Sequence, residues 1–401
     1  MLALPGTGTA DERRAAAAVR VDAAGYAWQL FERLNRPLTA PDGSASEAPA
    51  QWEAWATSGE IWRADGADPG PWSRRPSRLA NDVRFEVGSL KDLPNLRHPV
   101  AGRMEPVTDP LAVSEALTEV RFNRAAYDYL RRHGLYNLDG QLALARAGTP
   151  LRFPAAAWAV KARWRPIAAN DRRRYHTLRV TLADGSTRLY GLTAMHVMTH
   201  DLESGFWATF EHADVACAAP AGCLSGHEAG GSARCRASTP GCDAGPRRVT
   251  RRNPAWAYYR LGGTAIDFVA ADGTPTVLGN RDLEAGLGAT SSCPTCHARA
   301  AVAAVAASVA SGAGARRLPV LAASGTDGTR QGYTGRPDPN WFLPDGLAGD
   351  RFVSQDGVWS LALAHPRVKG PPDQPLPDQA GRGLGSIVVP ADATPVTRRD
   401  P

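Results

Sequence analysis

The sequence predicts an α+β fold: a central antiparallel β-sheet with flanking helices and long loops, followed by a helical segment carrying a cysteine pair. Three observations predict it. The middle of the chain has strand composition, with partial alternation of apolar and polar residues. Ala-rich stretches with apolar residues at helical spacing lie on either side of it. Gly and Pro, 40 and 32 of the 401 residues, gather in the connecting stretches. Three regions follow, expected to form one compact unit. Residues 1–150 are a helical and loop region packing on the core, 151–290 hold the sheet, and 291–401 hold the cysteine-bearing helix and a Pro/Gly-rich end.

Residues 11–35 read as a helix, with Tyr26, Leu30, Phe31 and Leu34 on one face. Residues 40–110, rich in Pro, Gly and Trp, read as loop with short elements. Residues 111–133 read as a second helix, with Leu117, Val120, Ala125, Tyr127 and Leu130 at roughly helical spacing before Gly134. The stretches 157–164, 175–182, 188–198 and 206–212 read as about four strands. Asp184-Gly185 marks a hairpin turn between two of them. Residues 214–254 form an inserted loop, and 255–290 add a strand or two. A helix is expected from Cys296 through Ala310, and one more apolar segment at Val358–Ala364. The Pro-rich tail after 366 reads as partly disordered.

Composition narrows the function classes. Apolar residues make up 43% and charged residues 21%, the profile of a globular chain. The net charge is +6, but the basic residues are scattered, and Arg172–Arg174 or Arg247–Arg248 extend into no nucleic-acid motif. An acidic redox partner suits that charge better than a nucleic acid. No window approaches the roughly 18 apolar residues of a membrane span. The N-terminus shows no charged n-region followed by a long apolar run. Eleven Trp is a high count; such rings pack cores or line a flat aromatic cofactor.

The chemistry concentrates at SSCPTCHARA, residues 291–300, which contains Cys293-Pro294-Thr295-Cys296-His297. C-x-x-C-H is the attachment signature of c-type haem. Two thiols add across the two vinyl groups, and the adjacent imidazole faces the iron as an axial ligand. On this reading the segment is a helical c-type haem-binding segment carrying one covalent haem. Three other readings use the same residues. A redox-active thiol pair at a helix start has no βαβ pattern leading into it. A zinc site would need a further ligand beside an awkward adjacent Cys-His pair. A structural disulfide is the third.

The other four cysteines, Cys217, Cys223, Cys235 and Cys242, crowd the 214–254 loop. Two disulfides there, in one of three pairings, or a zinc cage of unusual spacing would each account for them. Disulfides and haem attachment both call for an oxidising compartment, so a periplasmic or secreted location is expected, although no signal peptide is visible.

Several segments resemble a family of exported bacterial proteins described only as cytochrome c family. They are AWQLFERLN (27–35), QWEAW (51–55), EVRFNRAAYDYL (119–130), FPAAAWAVKARWRPI (153–167), GLTAMHVMTHD (191–201), FWATFEHAD (206–214), GTPTVLGN (273–280) and SSCPTCHARA. The resemblance spans residues 25 to about 365, and FWATFEHAD and SSCPTCH are its most specific parts. It implies an exported monohaem c-type protein and assigns no reaction. The Cys-rich loop after Asp214 is longer than the family's.

If His297 fills one axial position, the group opposite decides function. Met195, His196, Met198, His200 and His212 are the candidates, with His196 and Met198 on one strand face and both counted as possible iron ligands. The resemblance places His196 and His212 near the haem, where either could exchange a proton with a bound ligand while Glu211 or Asp214 orients it. Arg163 or Arg165 could pair with a haem propionate, and Trp207 is expected against the cofactor. Two functions follow. One is a haem-dependent oxidoreductase, peroxidase- or oxygenase-like, acting on a small-molecule substrate. The other is an electron-transfer or haem-sensing protein with a redox partner. A thiol–disulfide oxidoreductase is a weaker third.

Overall fold

The computed structural model describes residues 16–17, 19–38, 49–75, 117–181, 187–216, 247–280, 282–284, 287, 290–304, 315–318, 332–342 and 351–368. Its centre is a seven-stranded antiparallel sheet. The strands are β1 (Ala56–Thr57), β2 (Leu117–Phe122), β3 (Trp158–Pro166), β4 (Thr177–Thr181), β5 (Thr187–Thr199), β6 (Phe206–His212) and β7 (Tyr259–Ala265). Their order is β1-β2-β3-β5-β6-β7. β5 is long enough to take β4 along its first half and β6 along its second.

The expected strands at the centre are therefore present, and β1, β2 and β7 widen the sheet beyond four. The Asp184-Gly185 turn lies outside the described residues, although the antiparallel register of β4 and β5 is the one such a turn serves.

The helix expected over 111–133 is corrected. Leu117–Phe122 is a strand paired on both sides, and a helix α2 begins only at Arg124 and ends at Arg132. Asn123 makes the break: extended itself, it caps the helix by accepting the Ala126 N–H at 3.0 Å. Burial between β1 and β3 overrides the helical spacing of Leu117 and Val120.

One face of the sheet is sealed by the N-terminal helix α1 (Ala23–Leu34), capped by Asp22. Its Trp28 and Phe31 meet Phe210 of β6 at centroid distances of 5.4 and 4.6 Å. Val160, Ala162 and Trp164 of β3, Met195 and Val197 of β5, and Phe206 and Ala208 of β6 complete that core. At its edge lies a buried polar group. His176 pairs with Glu53, and Arg121 pairs with Glu119, which also accepts the Trp164 indole N–H at 2.9 Å.

The opposite face carries the alternate residues of the same strands and is covered by the C-terminal part of the chain. After helix α3 (Leu138–Arg146) and the sheet strands, a short helix α4 (Cys293–Ala298) starts at the first cysteine. The helix expected to run to Ala310 stops at Ala298. Ala301–Ala304 is instead β8, the middle of a small sheet with β9 (Ala315–Arg317) and β10 (Val353–Ser354). Alanine tolerates either state, and the fully buried Ala301 and Ala303 suit close packing against Phe352 and Leu318. The apolar Val358–Ala364 segment forms a buried 3-10 turn at Trp359–Leu363. The four cysteines at 217, 223, 235 and 242 lie outside the described residues. Among those residues no helix is long and apolar enough to cross a membrane.

Candidate functional site: a cavity between the sheet and the C-x-x-C-H helix

The sheet face that α1 leaves uncovered and the α4 segment line a partly open cavity. Val120, Phe122, Ala159, Met198 and Trp207 line it from the sheet, with Leu278, Val358 and Trp359 opposite. Cys293, Cys296 and His297 open into it, as do Lys161, His196 and Glu284.

The cysteine motif is held by backbone on every side. Leu278 bridges to Ser292, and its carbonyl accepts the Cys293 N–H at 3.0 Å and the Cys293 thiol at 3.2 Å. The segment 332–335 presses on the other side. The Tyr333 N–H donates to Cys296 Sγ at 3.2 Å, and Thr295 donates to the Gly335 carbonyl at 2.7 Å. Only glycine fits at 332, where a Cβ would lie 2.2 Å from Ser291 Cβ and 3.3 Å from Cys296 Sγ. Trp359 donates its indole N–H to the Cys296 carbonyl at 3.0 Å. Arg299 lies between Tyr333 and Trp341, 4.1 and 4.3 Å from their ring centroids. Burial pushes its guanidinium pKa down, against the opposing pull of Tyr333 and Cys296.

His297 presents a defined tautomer. Its Nδ1–H donates to the Gly357 carbonyl at 2.6 Å, which leaves Nε2 as the nitrogen bearing the lone pair. The ring packs 4.4 Å from Trp207, tilted by 52°. Trp207 is itself pinned by its N–H to the Ser204 carbonyl at 2.9 Å.

A second polar group stands on the sheet wall. His196 Nε2 lies 2.6 Å from Glu284 Oε2, which also accepts the Asn280 N–H at 2.9 Å. Lys161, directly opposite His196 in the β3–β5 register, approaches the other carboxylate oxygen at 3.5 Å. Glu284 and Lys161 carry no motif; their proximity arises from strand register and from the Asn280 turn.

The fold thus brings together Cys293, Cys296, His297, His196, Met198 and Trp207 out of the residues singled out from the sequence, and sets the others apart. His212 points to the α1 side of the sheet, stacked 3.7 Å from Tyr175, with Nε2 3.0 Å from the Arg174 carbonyl. Burial lowers its pKa. The Asp214 N–H does meet His212 Nδ1, at 3.2 Å, but away from the cavity. Glu211 is buried on β6 and is not among the lining residues. By strand alternation Glu211 shares the face of Trp207, whereas His212 falls on the opposite face with Phe210. Arg165 is occupied by Asp282, whereas Arg163 reaches Thr118, a lining residue, at 2.7 Å. Met195 belongs to the α1 core, and His200 hydrogen-bonds the Ala157 carbonyl at 2.9 Å.

The arrangement bears on the competing readings of the motif. Cys293 and Cys296 form no disulfide with each other, and both are largely buried, 9% and 8% exposed. Among the described residues no group of three or more His, Cys, Asp and Glu side chains is placed to hold a metal ion, so a zinc cage lacks its ligand set there. Covalent haem needs less: two thiols open to one cavity, an imidazole of fixed tautomer, and apolar walls. All three are present.

No family model matches the chain, and neither a curated protein nor a solved structure matches it, so a functional reading has to come from this geometry alone.

Proposed function

We propose that the protein is an exported c-type haem protein that acts as a haem-dependent oxidoreductase on a small substrate. One observation carries this reading: the C-x-x-C-H residues and the His196–Glu284 pair line the same cavity. Cys293 and Cys296 would hold the porphyrin through thioethers, and His297 would hold the iron through Nε2. Bound there, haem would supply an iron that changes oxidation state and accepts a small ligand at its open position.

The chain's own residues do the rest. The Gly357 carbonyl draws on the His297 Nδ1 proton and makes the imidazole a stronger donor. Val120, Phe122 and Trp359 give the cavity apolar walls. His196, fixed by Glu284, takes or returns a proton at a ligand held near it. Since His196 Nε2 is engaged with Glu284, direct iron ligation through that atom would break the 2.6 Å contact. That favours proton handling over a second axial bond.

Met198 is the observation behind the electron-transfer reading, because a thioether ligand would close the iron to substrate. Its methyl lies against Gly357, which also neighbours His297 Cβ and Trp207, so Met198 could only ligate an iron held by His297 after moving or with the haem placed to meet it. A pyridine haemochrome spectrum and acid–organic extraction test covalent attachment. Titration of the ferric protein with cyanide and peroxide then tests the open site. A low-spin spectrum that resists both ligands would replace the oxidoreductase with an electron carrier, for which the net charge of +6 suits an acidic partner.

A further inference from the structure

Some sixty positions beyond His297 in sequence, yet in hydrogen-bond contact with it, the backbone makes a left-handed turn. Asp356 has φ +52°, the one non-glycine residue with positive φ among the described residues, and Gly357 follows at +79°. Two successive left-handed residues make a tight reversal, and Asp is among the few non-glycine residues that enter that region, aided by hydrogen bonds of its short side chain.

The Asp356 carboxylate accepts the Phe153 N–H at 2.7 Å and lies 3.4 Å from Arg152 Nη1. His200 Nε2 stands 3.4 Å from the Asp356 carbonyl, and the His200 ring stacks on Phe153 at 5.0 Å. On the near side the Gln355 N–H is tied to the Ala300 carbonyl at 2.7 Å. The reversal leaves the Gly357 carbonyl aimed at His297 Nδ1, 2.6 Å away. A side chain at 357 would strike the Met198 methyl at 3.0 Å.

We propose that Asp356 is a positioning residue for the axial imidazole: its carboxylate, anchored on the Phe153 N–H, holds the left-handed turn that presents the Gly357 carbonyl to His297. This rests on the reading of His297 as the iron ligand. Asp356 touches neither cavity nor cofactor and acts through the turn alone. A fixed, short acceptor at Nδ1 raises imidazole basicity and favours the ferric state.

The test uses the full haem-loaded chain and two substitutions. Asp356→Gly removes the anchor while leaving a residue that accepts φ +52° without strain, so the variant folds. Asp356→Asn keeps an oxygen acceptor for the Phe153 N–H and loses only the charge. The readouts are the iron–histidine stretching frequency of the ferrous protein and the reduction potential. D356G is expected to lower the frequency and raise the potential, and D356N to stay close to the parent in both. Equal shifts in the two variants would reduce the residue to a nearby charge and overturn the proposal, as would a D356G variant indistinguishable from the parent. A parent chain that carries no covalent haem would instead remove the reading of His297 on which the proposal stands.

Discussion

Nε2 of His196 and Oε2 of Glu284 stand 2.6 Å apart, joining the middle strand of the sheet to a turn 88 positions further along the chain. The carboxylate is not free to follow the imidazole, because the Asn280 N–H holds the same oxygen at 2.9 Å. A histidine with so fixed a partner is suited to moving a proton. In the haem-loaded protein, His196→Ala is expected to slow peroxide-dependent oxidation by about 10²–10⁴-fold, the usual share of general acid–base catalysis. Stopped-flow rates of the ferric protein measure it. Unchanged rates would remove His196 from proton handling.

The thiols admit a sharper chemical test. With both Cys293 and Cys296 changed to Ala, any bound pigment should pass into acidified organic solvent. In each single variant one thioether should persist, and the haemochrome band should move toward that of a vinyl-bearing haem. Intact-mass measurement on the parent should show one haem added. A parent mass equal to the bare polypeptide would end the haem reading.

Gly332 offers a stability test independent of any cofactor. Ala at this position places a Cβ 2.2 Å from Ser291 Cβ, so the 332–335 segment or the α4 start must shift. Overpacking of this kind costs about 1–3 kcal/mol. Chemical denaturation of the variant should show that loss, and a midpoint equal to the parent's would mean the segment yields at no cost.

Acid should destabilise the protein through Glu53. Burial pushes this carboxyl up, but the charge and hydrogen bond of His176, the Ala50 N–H and Arg121 outweigh it, and the pKa falls below the ordinary glutamate value. A carboxyl depressed in the fold contributes stability that is complete above its unfolded pKa of about 4.3. That contribution is lost as pH falls through the lower folded value. Glu53→Gln should flatten the pH dependence below about 4.3 and, by breaking a buried pair, lose about 3–5 kcal/mol at neutral pH. Tryptophan fluorescence during denaturant titration at several pH values follows both. An acid slope identical in variant and parent would place the transition at another group.

The parts of the fold legible in the sequence are those whose signal is local. β3, β5 and β6 have strand composition and partial alternation, and the strand period of two puts His196 and Met198 on one face before any coordinate is known. The cysteine motif is contiguous and so can be read directly. Leu117–Phe122 was not legible as a strand because its apolar spacing fits a helix as well, and only pairing with β1 and β3 decides it. Ala301–Ala304 was illegible for a related reason: three alanines around Val302 fit an Ala-rich helix until Val353 and Arg317 come alongside. His212 alternates out of phase with Trp207 on β6, five positions on, which the strand period of two could have revealed. Glu284, Lys161 and Gly357 carry no signal at all, since each enters the site from a distant segment through register or a turn.

Gly332, Tyr333 and Gly335 close over Cys296 and Thr295 like a strap fastened from a point some forty positions downstream. If Cys296 takes the haem proposed above, attachment and folding would be put in sequence: a group joined to that sulfur before this later stretch docks would meet a looser segment than one arriving afterwards.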